Sequence, residues 1–305
     1  MVGFGHRRLD DGMTTPSTVP DQTYTLAAAS ADPITVRRLG FGAMRITGQG
    51  IWGDPADRGT AVAVLKRAVE LGVDFIDTAD SYGPEVSEDL IREALYPYDG
   101  LLIATKGGLT RQGPDAWAPV GRPEYLRQCV LMSLRRLGLE RIDLWQLHRI
   151  DPLVALEDQF GAIKDMQTEG LIRHVGISEV SVDDLLAAQN IIDVVSVQNL
   201  YNAGDRASEA LLAHCTANDV GFIPWFPLGN RALLAADGPV AAVALRHGCT
   251  AAQVALAWLL QHSPVMLPIP GTGSVGHLEE NCGASAVTLD AESIAELNAL
   301  VSPPD

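Results

Sequence analysis

The sequence contains 305 residues, of which 47% are hydrophobic, and its 22 Lys and Arg against 38 Asp and Glu give a formal net charge of -16. So much negative charge repels phosphate backbones and anionic lipid surfaces, which excludes nucleic acid and membranes as expected partners. It does not exclude a dinucleotide, because a few basic groups or helix N-termini can converge locally. The length and apolar content suit one large domain with a sizeable core.

The four cysteines are far apart in the sequence and form no C-x-x-C pair. They predict free thiols in a reducing compartment rather than a disulfide scaffold. No uninterrupted apolar run reaches membrane-spanning length, and the N-terminus lacks the long apolar stretch of a signal peptide. We therefore expect a cytoplasmic protein.

The first 22 residues are polar, contain proline and show no hydrophobic periodicity. They predict a disordered leader, within which Met13 is an alternative start to Met1. Two short alternating segments between residues 24 and 39 flank the turn-forming residues 30–33, a pattern typical of a β-hairpin. Residues 23–305 are expected to form a single domain.

Beyond residue 36, short apolar, β-branched runs alternate with longer stretches of helical periodicity. Eight runs of the first kind occur, at residues 36–41, 75–78, 101–105, 142–147, 174–177, 194–198, 221–225 and 265–269. Gly72, Gly138 and Gly170 follow helical stretches where a left-handed C-cap is expected. Eight strand-and-helix units, with strands buried on both faces, predict an α/β fold: a closed eight-stranded parallel (β/α)8 TIM barrel with an N-terminal β-hairpin.

An open, doubly wound sheet is the alternative architecture. Its dinucleotide-binding fingerprint, G-x-G-x-x-G, would follow the first strand and open a helix. The sequence at that point is G-F-G-A-M-R at residues 40–45, which lacks the third glycine. The barrel is therefore favoured.

Four polar residues lie where such a barrel carries its chemistry, at the carboxyl ends of strands. Asp77, Lys106 and His148 end or follow the second, third and fourth apolar runs, and Tyr82 lies five residues beyond Asp77. Each has an ordinary structural explanation when taken singly: a turn cap, a solvated rim charge, a core histidine and a packed aromatic ring. Together, on successive strands, they predict one site with an acid, a base and two hydrogen-bonding groups.

Three segments around these residues resemble the catalytic segments of the aldo-keto reductase family in order and spacing. They are F-I-D-T-A-D-S-Y-G at 75–83, I-A-T-K-G-G at 103–108 and L-W-Q-L-H at 144–148. The resemblance extends from about residue 36 to residue 300 and includes V-G-I-S at 175–178, V-Q-N-L-Y-N at 197–202, I-P-G-T-G-S at 269–274 and H-L-E-E-N at 277–281. It implies the reduction of an aldehyde or ketone to an alcohol with a reduced nicotinamide cofactor.

The resemblance also implies a role for each of the four residues. Tyr82 would be the general acid that protonates the carbonyl oxygen. Lys106, held by Asp77, would lower the pKa of the Tyr82 phenol toward the working range. His148 would hydrogen-bond the substrate oxygen and orient the carbonyl group.

For the nicotinamide end of the cofactor, the resemblance implies that Ser178 and Gln198 hold the carboxamide. The family usually has Asn after this serine, whereas this chain has Glu179, whose carboxylate cannot donate to the amide oxygen. Orientation is therefore expected to rest more on Gln198. Trp225 corresponds to the aromatic residue that stacks on the nicotinamide ring, and core packing is the alternative for it.

For the adenine end, Glu280 and Asn281 match the adenine-facing pair, and residues 271–274 would approach the 2'-phosphate with backbone amides. Many family members have Lys and Arg where this chain has Gly271 and His277. Arg231 is a candidate substitute for these cations, with a solvated loop charge as the alternative. The resemblance implies NADPH, with NADH as the alternative. The other expected cofactor contacts are Ala43, Met44, Phe226, Leu228, Gly229 and Gly273.

Large side chains on the expected mouth loops are candidates to line the substrate pocket, with ordinary loop packing as the alternative. They are Met44, Trp52, Phe226 and Trp117, the last of which lies in a long loop expected at residues 107–121, directly after Lys106. Such side chains favour an apolar or flat aromatic aldehyde. The run M-R-I-T-G-Q-G-I-W-G at residues 44–53 resembles bacterial members of the pyridoxal reductase kind, which makes pyridoxal a candidate substrate.

Two other classes of protein are alternatives to an active reductase. The first is a cofactor-binding regulatory subunit that resembles the potassium-channel β subunits, which share this fold and cofactor. All four catalytic positions carry the chemically required residue types, which favours the enzyme. The second is a metal-dependent barrel enzyme, but the seven histidines form no pair at ligand spacing on one element, so no catalytic metal is expected.

Overall fold

The computed structural model describes residues 23–230 and 232–301. The predicted leader, residues 1–22, and Arg231 lie outside the described residues. The described chain forms an α/β fold around a parallel sheet of seven strands. The strands are β1 (Thr23–Leu26), β2 (Ile34–Arg37), β3 (Phe41–Gly42), β4 (Phe75–Asp77), β5 (Leu102–Gly107), β6 (Leu109–Gly113), β7 (Ala116–Pro119), β8 (Ile142–Leu147), β9 (Ile172–Ser178), β10 (Val194–Leu200) and β11 (Gly221–Trp225).

The parallel sheet has the strand order β11-β10-β9-β8-β5-β4-β3, so neighbouring strands follow one another along the chain. A parallel pair needs a long crossover connection, and helices supply it between successive strands of this sheet. The helices are α1 (Arg58–Glu70), α2 (Val86–Leu95), α3 (Pro123–Leu137), α4 (Leu156–Thr168), α5 (Val182–Gln189), α6 (Glu209–Ala217), α7 (Ala241–His247), α8 (Ala251–His262), α9 (Val275–Cys282) and α10 (Ala291–Asn298). This arrangement brings the carboxyl ends of the strands to one edge.

The eighth predicted run, residues 265–269, does not form a regular strand, although its backbone bonds to both edges of the sheet. The Phe222 N–H donates to the Val265 carbonyl (2.8 Å), the Leu267 N–H donates to the Phe222 carbonyl (2.8 Å), and the Gly40 N–H donates to the Pro268 carbonyl (3.0 Å). Prolines at 264, 268 and 270 lack the N–H that a full ladder requires.

The first predicted run, residues 36–41, is divided between two elements, which corrects its prediction as one strand. Its start belongs to β2, which pairs with β1 as an antiparallel hairpin, and β3 begins only at Phe41. Between them, the Arg38 guanidinium turns inward and donates to the carbonyls of Leu260 (2.7 Å), Met266 (3.2 Å) and Ser263. These bonds tie the chain between β2 and β3 to the end of α8 and the segment that follows it.

A second hairpin, formed by β6 and β7, occupies the stretch predicted as a long loop after Lys106. The Arg111 side chain holds it in place by donating to the carbonyls of Ile51 and Ser81, both at 2.7 Å. The same guanidinium stacks on the Trp117 ring, 3.6 Å from its centroid. The hairpin thereby fixes Trp117 beside the carboxyl ends of β4 and β8.

Within the described residues, no single helix is both long and apolar enough to cross a membrane. In the same part of the chain, α7 and α8 meet the length and composition required when they are taken together, but the two helices are bent by 88° relative to each other.

Candidate active site

The four candidate catalytic residues converge at one edge of the sheet. Lys106 Nζ lies 2.5 Å from Asp77 Oδ1 and 3.2 Å from Tyr82 Oη, and it donates a third hydrogen bond to the Thr78 carbonyl at 2.8 Å. The Lys106 side chain is fully buried and that of Asp77 is 2% exposed. A buried ammonium group needs all three acceptors, because a lone charge away from water is strongly unfavourable.

Two glutamines hold the other oxygen of Asp77. Gln146 Nε2 and Gln198 Nε2 each donate to Asp77 Oδ2 at 2.9 Å, and Gln198 Nε2 also lies 3.3 Å from Gln146 Oε1. Gln146 was not singled out from the sequence, although a polar residue inside the apolar run L-W-Q-L-H was a signal for it. The two amides fix the carboxylate that positions Lys106.

The Tyr82 ring is buried and packs edge-on against the rings of Trp117 and His148, at centroid distances of 6.4 and 5.9 Å. Burial raises the pKa of the Tyr82 phenol above its ordinary value, and the nearby charge of Lys106 opposes that rise without cancelling it. The predicted net lowering of this pKa is therefore wrong, because the loss of solvent outweighs the ammonium charge. The phenol holds its proton at neutral pH.

The His148 ring is buried, with Nδ1 at 3.3 Å from the Ser81 hydroxyl oxygen. Burial lowers the pKa of His148 well below its ordinary value, and the charges of Lys106, Arg149 and Arg111 lower it further. The imidazole is therefore neutral at neutral pH. With Ser81 as the donor to Nδ1, the ring proton lies on Nε2, the tautomer that can donate to a substrate oxygen.

A cavity of about 890 Å³ opens above this network. Predicted site residues that line it are Met44, Asp77, Tyr82, Trp117, His148, Ser178, Gln198, Trp225, Phe226, Leu228, Gly229 and Gly271. Lining residues that the sequence analysis missed include Arg45, Ile51 and Arg149. The candidate catalytic groups and the cavity wall thus come from the carboxyl ends of the parallel strands and from the segments that follow them.

Glu179 does not point into the cavity. Its carboxylate accepts from the Leu200 N–H at 2.8 Å and from the Trp225 indole N–H. Both bonds use Oε1, and the predicted contact of Glu179 with the cofactor stays a prediction. Because it anchors the indole, Glu179 positions the ring that lines the cavity.

Six other predicted contacts lie outside the cavity wall. Ala43 is completely buried below it, and Trp52 is 38% exposed beside the Arg111 guanidinium rather than in the pocket. Gly273, His277, Glu280 and Asn281 lie in or just before α9, beyond the edge formed by Gly271. The predicted contacts of Glu280 and Asn281 with adenine, and of Gly273 and His277 near the phosphate, stay predictions.

Among the described residues, Arg45 and Arg149 are the cations that line the cavity. Arg149 Nη1 donates to the His148 carbonyl at 2.6 Å and to Ser178 Oγ at 3.1 Å. Arg45 lies at the other end, where a Cβ added to Gly271 would be 3.6 Å from Arg45 Cγ. Their positions in the sequence could have indicated both residues. Arg149 directly follows His148, and Arg45 lies in the run at residues 44–53 that resembles pyridoxal reductases.

These groups fit a nicotinamide dinucleotide. One end of the cavity presents the flat Trp225 ring, the Gln198 Oε1 acceptor and the Arg149 guanidinium, which suit an aromatic amide. The other end presents Arg45 and the Gly271 backbone, which suit a phosphate. Within residues 23–230 and 232–301, no group of three or more His, Cys, Asp or Glu side chains is placed to hold a metal ion.

Comparison with known proteins gives consistent matches along the chain. The model of the Aldo/keto reductase family matches residues 38–302. An uncharacterized oxidoreductase of Schizosaccharomyces pombe is 57% identical over 265 residues, which cover 87% of each chain. Pyridoxine 4-dehydrogenase of Escherichia coli is 42% identical over 286 residues, which cover 91% of this chain and 98% of that protein.

A solved structure is also similar. The crystal structure of an aldo-keto reductase from Klebsiella pneumoniae in complex with NADPH has a TM-score of 0.76 and 26% identity, and the match covers 88% of this chain and 93% of that one. The residues matched by the family model include Asp77, Tyr82, Lys106 and His148 and the segment from Gly271 to Asn281.

Proposed function

Because the chain belongs to the aldo/keto reductase family, we propose that it reduces an aldehyde or ketone to an alcohol with NADPH, and that Tyr82 is the general acid. The observation that carries this proposal is the buried contact of Lys106 Nζ with both Asp77 Oδ1 (2.5 Å) and Tyr82 Oη (3.2 Å) at the wall of a large cavity. The Klebsiella pneumoniae reductase, solved with NADPH, supports this choice of cofactor.

The bound cofactor supplies the hydride, and the residues of this chain manage the proton. Burial raises the pKa of the Tyr82 phenol, so the group keeps its proton at neutral pH until a carbonyl oxygen can accept it. When the proton leaves, negative charge develops on Oη, 3.2 Å from the Lys106 ammonium group. The electrostatic contact is therefore strongest when the proton is transferred, which is where stabilisation accelerates a reaction.

His148 and the aromatic wall orient the substrate. The neutral imidazole donates a hydrogen bond from Nε2 to the carbonyl oxygen and adds no positive charge to the site. Trp117, Ile51 and Phe226 form an apolar wall, which favours a flat aromatic aldehyde. We propose pyridoxal as such a substrate, because a relative 42% identical is a pyridoxine 4-dehydrogenase, and oxidation of that alcohol is the reverse of pyridoxal reduction.

Two further features belong to the proposal. Residues 265–270 would act as the eighth strand of a closed (β/α)8 barrel, since their backbone bonds to β11 and to the segment around β3. The protein would act in the cytoplasm as a single barrel domain, in keeping with its four free cysteines.

The proposal is tested by following NADPH and NADH absorbance with a panel of aldehydes and ketones that includes pyridoxal. We expect consumption of NADPH with one alcohol formed per NADPH oxidised, and slower consumption of NADH. Tight NADPH binding without turnover on any compound would contradict the reductase. That outcome would favour the regulatory subunit instead.

A further inference from the structure

The carboxamide of a nicotinamide ring needs both acceptors and a donor in its site, because it carries an N–H2 group and a carbonyl oxygen. The inference drawn from this need rests on the proposed function. Gln198 can supply an acceptor but no donor. Its N–H2 group is spent on Asp77 Oδ2 and Gln146 Oε1, so the side chain offers its Oε1 acceptor to the cavity.

The two residues next to Gln198 in the predicted site have no donor to spare either. The single hydroxyl proton of Ser178 goes to the Gln198 carbonyl at 2.8 Å. Glu179 carries no donor and its carboxylate is held by the Leu200 N–H and the Trp225 indole. The carboxamide oxygen therefore needs a donor from elsewhere on the cavity wall.

Arg149 is placed to be that donor. Its Nη1 lies 3.1 Å from Ser178 Oγ, and the side chain lines the cavity. A guanidinium group has five N–H donors, and Nη1 spends its two on the His148 carbonyl and Ser178. The three on Nη2 and Nε make no hydrogen bond or ion pair with any other residue of 23–230 or 232–301.

We propose that Arg149 is a positioning residue that donates to the nicotinamide carboxamide oxygen and so helps to fix which face of the ring meets the substrate. The same contact has an electrostatic consequence. The oxidised ring is positively charged and the reduced ring is neutral, so the Arg149 cation disfavours NADP+ relative to NADPH. Arg149 thus also favours binding of the cofactor form that a reductase consumes.

The test measures cofactor binding without substrate, in the full chain, by the change in nicotinamide fluorescence and by competition with NADP+. Replacing Arg149 by Met should weaken NADPH binding about tenfold or more, as expected for the loss of a hydrogen bond to a charged group. NADP+ should lose less, because the repulsion disappears with the cation. The dissociation constant of NADP+ divided by that of NADPH should therefore fall toward one.

Two companion measurements separate this role from a structural one. Arg149→Lys keeps the charge, so it should retain the wild-type preference for NADPH over NADP+ even where overall affinity drops. The 3-acetylpyridine analogue keeps the carbonyl oxygen but lacks the N–H2 group, so Arg149→Met should weaken its binding as much as that of NADPH. Arg122→Met removes an exposed arginine paired with Glu124 and is the matched control, expected to leave both affinities unchanged.

Unchanged NADPH and NADP+ binding in Arg149→Met, with a raised KM for the aldehyde, would overturn the proposal and assign Arg149 to the substrate. The proposal would also be overturned if Arg149→Met and Arg149→Lys each weakened the binding of NADPH and NADP+ by the same factor. A wild-type protein that binds neither cofactor form would instead contradict the proposed function.

Discussion

The two ends of the cavity differ in how their polar groups are held. At the end that contains Tyr82 and His148, the side chains are buried, and Asp77 and Lys106 each make several hydrogen bonds to neighbours. At the end beside Gly271, the Arg45 side chain is exposed and makes no hydrogen bond or ion pair within the described part of the chain. Proton transfer needs pKa values set by burial, whereas holding a phosphate needs only charge and backbone N–H groups.

The difference predicts that substitutions at the buried end have large, coupled effects on activity and stability, and that substitutions at the exposed end have small effects that salt removes. The buried end also shows which features the sequence predicts, namely the clustering of residues, and which it does not, namely the balance of effects on each pKa.

The largest expected effect comes from Lys106→Met. Turnover should fall by about 1,000-fold or more, because the developing charge on Tyr82 loses its ammonium partner. Unfolding free energy should also fall, by about 3 to 5 kcal/mol, since Asp77 is left as an unpaired buried carboxylate. Steady-state kinetics and urea denaturation check both numbers. A stable, active Lys106→Met variant would show that the two ends do not differ as described.

Asp80 gives a pH-dependent test of the buried end. Burial, followed by the charge of Glu88, raises the pKa of Asp80 to about 7, and its Oδ1 accepts no hydrogen bond from the described residues. An acid whose folded-state pKa is raised binds more protons when folded, so its contribution to stability is present below about pH 4 and is lost as pH rises to about 7.

Asp80→Asn removes this dependence while keeping the shape of the side chain. We expect the variant to match the wild type near pH 4 and to exceed it at pH 8 by up to a few kcal/mol, as a shift of this direction and size implies. Thermal or urea unfolding at the two pH values measures the difference. A constant difference across this range would mean that the carboxyl group does not titrate in it.

Arg45→Gln tests the exposed end and should give the smallest effect. An exposed ion pair contributes about 0 to 1 kcal/mol, so NADPH affinity should fall by no more than about fivefold, and less in high salt. Titration with NADPH and NADH also locates the contact. If only the affinity for NADPH falls, Arg45 contacts the 2'-phosphate. If the affinities for NADPH and NADH fall equally, Arg45 contacts the pyrophosphate. A large, salt-independent loss would contradict the comparison.

The buried end was largely predictable from sequence. Asp77, Lys106 and His148 each end or follow an apolar run, and parallel strands bring their carboxyl ends together, so the order of the motifs implies the cluster. What the sequence did not provide was the balance of opposing effects. The sign of the pKa shift at Tyr82 depends on how completely the loop and Trp117 exclude water, which no motif encodes.

Contacts that depend on distant parts of the chain were missed for the same reason. Glu179 is held by the Trp225 indole, 46 residues away, so its side chain could not be placed from its neighbours in sequence. The β6 and β7 hairpin was predicted as a loop because Arg111, which fixes it, acts through carbonyls some 30 and 60 residues away. The eighth run had the composition of a strand, but its prolines limited the ladder.

The central claim is that the phenol of Tyr82 delivers the proton. Its most direct test compares wild type and Tyr82→Phe for aldehyde turnover and for NADPH affinity under the same conditions. We predict that the variant binds NADPH as the wild type does and loses turnover by about 100-fold or more. Near wild-type turnover with normal NADPH binding would contradict the account, because the proton would then come from another group.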